Sequence, residues 1–165
     1  MKITDLTVRK ALELAATIEE KAAQRYEALA EKFADDEPIA AVFSQLAKDE
    51  AAHGSHFTDL VGQLPDAGGL EDREDALNLL RASAASEFFS PESLSGVDDI
   101  RTPADALRKA LGLEKATLFF YQSLRDVLDD EEEVAPLIET EKRHISSLMK
   151  VLVNDARFRG LDDTW

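Results

Sequence analysis

The chain contains no cysteine. That absence excludes disulfides, thiolate-held zinc, iron–sulfur clusters and any cysteine-ligated mononuclear iron within this sequence. Strand-type clusters of valine, threonine and aromatic residues are scarce, while alanine, leucine and glutamate recur throughout. This balance predicts an all-helical protein. No apolar run approaches the ~20 residues of a membrane span. The opening stretch MKITDLTVRKALEL lacks the continuous apolar segment of a signal peptide, so a cytoplasmic, membrane-free protein is the expectation. Positive charge is short as well: 19 Lys and Arg face 34 Asp and Glu, a formal net charge of −15. Such a surface disfavours nucleic acid and anionic lipid as partners. At 165 residues, one domain spanning 1–165 is expected, long enough for a sizeable core.

What is present is organised around LAKDEAAHGSHFTDL, residues Leu46–Leu60. Steps of three and four through this stretch reach Ile39, Phe43, Leu46, Glu50, His53, Phe57 and Leu60. All but two are large and apolar, which marks the buried seam of an amphipathic helix. Glu50 and His53 sit in its middle, one turn apart and pointing the same way. An ionised carboxylate in such a seam costs several kcal/mol unless something positive meets it. A Glu–His hydrogen bond would explain one such pair taken alone.

The rest of the chain supplies more of the same. A first helix is predicted over 5–34, starting near Thr4–Thr7, with the seam Leu12, Ala15, Glu19, Ala22, Tyr26, Leu29 and Phe33. Its neighbour Glu20 falls on the polar row Glu20, Gln24, Glu27, Glu31, so only Glu19 needs a buried partner. An Asp–Glu–Pro run at Asp36–Pro38 opens a second helix, 37–63, close enough to make an antiparallel hairpin. Pro65–Gly69 breaks the pattern. A crossover over 64–102 follows, carrying an extra helix near 71–89 with Leu77, Leu80, Ala84 and Phe88 on one side. Thr102 and Pro103 open a third long helix, 103–128, with the seam Leu107, Leu111, Glu114, Leu118, Tyr121 and Leu128, and Arg125 as its odd member. The acidic run Asp129–Glu133 leads into a fourth helix, 132–154, with Leu137, Glu141, His144, Leu148 and Val151 on its seam. Pro136 requires its place to be the first turn. Trp165 is free to dock on the bundle or on a second chain.

The two halves repeat. Ile18–Leu29 matches Leu113–Leu124 at an aliphatic residue, the Glu, a Tyr seven places later and a Leu three beyond. Leu46–His53 matches Leu137–His144 at Leu, Glu and His. Four helices thus each carry a seam carboxylate, and two add a histidine one turn on. The third histidine, His56, lies on a mostly polar row and is matched by Ser147, so it is expected at the edge. Four carboxylates converging in a dry bundle repel one another or shift their pKa values upward. Two divalent cations neutralise them. Oxygen donors with one imidazole per metal suit iron first, with manganese or zinc as alternatives, zinc bringing no redox chemistry. The competing reading is a metal-free core in which all six groups satisfy each other. Tyr26 and Tyr121, two turns from Glu19 and Glu114, are either packing residues or groups that hydrogen-bond the carboxylates and moderate oxidants there.

On Glu19 with Tyr26, Glu50 with His53, Glu114 with Tyr121, and Glu141 with His144, the chain resembles the rubrerythrin-like branch of the ferritin-like superfamily. The resemblance implies an antiparallel four-helix bundle of two hairpins. It also implies a di-iron centre held by Glu19, Glu50, His53, Glu114, Glu141 and His144, with Glu50 and Glu141 bridging. Family members reduce hydrogen peroxide with electrons from a separate small redox protein, and relatives oxidise ferrous iron with oxygen or peroxide. Two departures stand out. There is no cysteine for a rubredoxin-like iron, and Thr117 stands where an additional helix carboxylate is usual. Three functions are therefore carried forward. The first is peroxide reduction with an external electron donor, the second iron oxidation and handling. The third is a helical interaction module with a structural or relict metal site. A homodimer is the expected assembly.

Overall fold

The computed structural model describes residues 6–63, 74–86, 89, 96–128 and 131–158, the side chains at 131 and 155–158 excepted. Five helices occupy them: α1 (Val8–Lys32), α2 (Glu37–Gln63), α3 (Glu74–Ala84), α4 (Pro103–Leu128) and α5 (Glu131–Phe158). Among the described residues there is no strand. Helices α1 and α2 form one antiparallel hairpin and α4 and α5 the other, with α3 between them in sequence. The long helices are arranged in a ring: α1 lies beside α2 and α4, and α5 beside α4 and α2. This is the ferritin-like antiparallel bundle. No helix among the described residues is long and apolar enough to cross a membrane.

Local chemistry sets the helix starts. Thr7 is extended, and its hydroxyl accepts from the Lys10 amide at 3.3 Å. Asp36 accepts from the Ile39 amide at 3.4 Å, and Thr102 from the Asp105 amide at 3.1 Å. Each cap satisfies an amide that the first turn leaves without a partner. Pro38 and Pro103 follow in first turns, where a missing N–H costs nothing. The core then closes on aromatic layers. Tyr26 stacks on Phe43 with centroids 5.9 Å apart, and Phe57 meets Tyr121 at 5.0 Å. Phe120 takes Phe89 edge-on at 5.4 Å, which ties this point of the crossover to α4.

Several expectations need correction. Pro136 is the sixth residue of α5, past its first turn. It lies on an exposed face, where the loss of one backbone hydrogen bond is least costly. On α4, Leu111 and Leu118 are only partly buried, while Ala106, Ala110, Leu113, Phe120, Leu124 and Val127 are buried. The cause is α3, whose Leu77 and Leu80 cover a second flank of α4 and shift its buried face. Arg125 does not enter the seam: its guanidinium pairs with Asp126 at 3.0 Å at the surface. Thr4, Phe88, the breaker cluster Pro65–Gly69 and Trp165 lie outside the described residues.

Candidate metal centre

Glu19 on α1, Glu50 and His53 on α2, Glu114 on α4, and Glu141 and His144 on α5 meet in the middle of the bundle. None is more than 5% exposed. The small residues Ala15 and Ala22 flank Glu19, and a methyl group placed on Gly54 would stand 3.4 Å from the Glu19 Cβ. These small side chains let α1 and α2 approach closely at the level of the carboxylates. The six groups form two clusters whose donor atoms all lie within 4.8 Å of one another. One holds Glu19, Glu50, His53 and Glu141, the other Glu50, Glu114, Glu141 and His144. Glu50 and Glu141 belong to both.

The atomic contacts explain the overlap. The two oxygens of Glu50 divide between the imidazoles, Oε2 lying 2.9 Å from His53 Nδ1 and Oε1 3.2 Å from His144 Nδ1. Glu141 divides likewise, Oε1 at 3.2 Å from His53 Nδ1 and Oε2 at 3.9 Å from His144 Nδ1. Glu114 Oε2 is 3.1 Å from His144 Nδ1, whereas Glu19 Oε2 stands 4.0 Å from His53 Nδ1. The Tyr26 hydroxyl donates to Glu114. Among the described residues the Tyr121 hydroxyl, although buried, has no hydrogen-bond partner, and neither do Glu19 Oε1 and both oxygens of Glu141.

Protons take up the charge that this packing concentrates. Burial, then the charges of Glu50 and Glu114, push Glu19 well above the usual carboxylate range. Burial, then Glu114, Glu50 and Glu19, do the same to Glu141. Burial also raises the Tyr26 hydroxyl, helped by Glu114 and Glu50. Glu50 goes the other way: burial would raise it, but hydrogen bonds from His144 and His53 hold it below the usual range. Burial would lower His144, but hydrogen bonds to Glu114 and Glu50 outweigh it and raise this imidazole to about 10.

Three further residues lie around the centre. Asp49 is a site neighbour that the sequence pattern misses, because it falls on a polar row one step off the seam. Its Oδ2 lies 3.1 Å from His144 Nε2, the ring nitrogen facing away from the carboxylates. The signal was the acid directly before Glu50, turned by one helical step toward α5. Thr117 is buried and donates its hydroxyl to the Leu113 carbonyl at 3.0 Å, so it offers the centre no acid. His56 is half-buried away from the cluster, with Nε2 3.0 Å from the Glu133 carbonyl in the first turn of α5.

The donor set fits a pair of cations. Carboxylate oxygens left without partners at full burial are costly unless a cation or proton meets them, and each cluster offers oxygens with one imidazole nitrogen. Fold and site together define a helical-bundle protein with a di-metal carboxylate centre. The rubrerythrin family model matches residues 10–152, and the chain belongs to the rubrerythrin family. Comparison with curated proteins and with solved structures finds no match.

Proposed function

We propose that the chain is a di-iron oxidoreductase that reduces hydrogen peroxide with electrons from a separate donor. Glu19, Glu50, His53, Glu114, Glu141 and His144 would hold the two ions, with Glu50 and Glu141 available to both and Glu19 and Glu114 to one each. The observation that carries this reading is the overlap of the two donor clusters through Glu50 and Glu141. Membership in a family that is generally oxidoreductase supports it.

When bound, a ferrous pair supplies the two electrons and the Lewis acidity that cleavage of a peroxide O–O bond requires. The chain's own residues do the rest. His53 and His144 present Nδ1 inward, toward the shared carboxylate of Glu50. Tyr26 orients Glu114 through its hydroxyl. Phe43, Phe57 and Leu46, all buried, exclude bulk water from the carboxylates. No cysteine in this sequence can hold a rubredoxin-type iron, so the electrons come from a separate donor.

Anaerobic protein loaded with two ferrous ions, mixed rapidly with peroxide or with oxygen, tests the assignment. Oxidation by peroxide should be roughly tenfold or more faster than by oxygen. Faster reaction with oxygen, with iron taken up beyond two ions per chain, would establish iron handling instead. The net charge of −15 gives that alternative an electrostatic basis, since it attracts Fe(II). A metal whose removal alters only the melting temperature would leave a structural centre.

A further inference from the structure

The internal repeat pairs the residues of the centre: Glu19 with Glu114, Tyr26 with Tyr121, Glu50 with Glu141, His53 with His144, and Asp49 with Thr140. A symmetric site would treat the members of each pair alike. This one does not. We propose that the two metal positions are unequal. The position at Glu114 and His144 is built in advance and fills first, with Asp49 as its positioning residue, and the position at Glu19 and His53 is exchangeable. The proposal rests on the two-metal reading above and goes beyond it in ranking the positions.

Three independent contacts fall on the same side. The Tyr26 hydroxyl donates to Glu114, whereas among the described residues the Tyr121 hydroxyl has no partner and Glu19 Oε1 has none either. His144 has its outer nitrogen 3.1 Å from the Asp49 carboxylate. A proton on Nε2 shared with Asp49 leaves Nδ1 as the lone-pair donor and fixes the ring plane. The counterpart of Asp49 is Thr140, whose hydroxyl donates to the Pro136 carbonyl at 3.1 Å and accepts from Arg143 at 2.7 Å. It brings no carboxylate toward His53. Finally, His144 and Glu114 already stand 3.1 Å apart, while His53 and Glu19 are 4.0 Å apart. One donor pair is drawn together and has a carboxylate behind its imidazole; on the other side the position that matches Asp49 carries none. Losing such support typically costs a metal ligand set ten- to a hundredfold in affinity, on the order of the difference expected here.

The test is a titration of the metal-free full chain with Co(II), read by native mass spectrometry and by the visible absorption of the bound cobalt. The parent should fill in two steps, the first roughly ten- to a hundredfold tighter, so that a one-cobalt species dominates at one equivalent. Asp49→Ala should weaken the first step by roughly the same factor and leave the second unchanged. Asp49 is a third exposed, so its truncation leaves no core cavity. Asp49→Asn, which retains an acceptor oxygen, should weaken the first step less. Tyr26→Phe should also act on the first step alone. Filling of the parent without a dominant one-cobalt species, or an Asp49→Ala variant in which both steps or neither move, overturns the ranking. A parent that binds no cobalt overturns the two-metal reading itself.

Discussion

Glu141→Gln should raise the melting temperature of the metal-free protein at pH 8 and remove its capacity for a metal pair. Glu141 is fully buried, and neither carboxylate oxygen has a hydrogen-bond partner among the described residues. His53 Nδ1 stands 3.2 Å from Oε1 without making one. Burial and three neighbouring carboxylates raise its pKa, so the folded chain holds a proton that the unfolded chain releases. A group shifted upward stabilises the fold only below its unfolded value, and that contribution is lost as pH rises. At pH 8, well above the ordinary carboxylate range, the parent carries this penalty, and an uncharged isostere of the same shape does not. The gain should be about 1–3 kcal/mol, or ~5 °C for a chain of this size. The same substitution leaves a single neutral oxygen where a shared carboxylate is needed. A residue whose closest replacement stabilises the protein is being kept for function. Thermal melts in chelator, with metal content after reconstitution, check both halves. A variant that melts below the parent and still takes up two ions would contradict them.

The second large effect is a gap between the melting temperatures of metal-loaded and metal-free protein that widens from pH 5.5 to pH 8. Glu19 and Glu141 are raised in the folded state, so their contribution fades as pH climbs above the ordinary carboxylate range. His144, raised to about 10, contributes fully below its unfolded value near 6.5 and loses that contribution as pH rises through about 10. Glu50 is lowered, so its contribution is present above the ordinary carboxylate range and is lost only on acidification. Across this window the metal-free protein therefore weakens. Cations, in contrast, must displace the protons on Glu19, Glu141 and His144, so their affinity grows with pH. The two trends diverge, and the gap should grow by roughly 10 °C. Parallel melts at several pH values measure it. A gap that is constant, or that narrows with rising pH, would mean that these groups do not exchange protons for metal.

Much of this was legible in the residues because helical periodicity assigns a direction to each side chain. Glu19 and Glu20 are adjacent in sequence, yet the seam and the polar row separate them, and the structure buries one and exposes the other. The Glu–His spacing repeated on α2 and α5 did the same for four more members of the centre. Periodicity on one helix says nothing, however, about which neighbour lies beside each flank. Asp49 looked like a surface acid because its partner His144 is on α5. The α4 seam holds at Leu107, Glu114 and Tyr121, but the buried face is wider than the seam because α3 covers a flank that a four-helix bundle alone leaves open. The unequal treatment of Tyr26 and Tyr121 was invisible for a related reason. The repeat makes them equivalent in sequence, and only the packing of α1 against α4 brings a hydroxyl to Glu114.

The central claim is that six buried side chains exist to hold two cations. It is tested most directly by counting metal per chain, by mass spectrometry, on protein produced with iron and purified anaerobically, beside a Glu50→Ala, Glu141→Ala double variant. Close to two ions per chain are expected in the parent, at the two clusters that share Glu50 and Glu141, and almost none in the variant, which loses both shared carboxylates. A parent that carries no metal after such preparation, yet is folded and stable, would contradict the account and leave a polar core satisfied by its own protons.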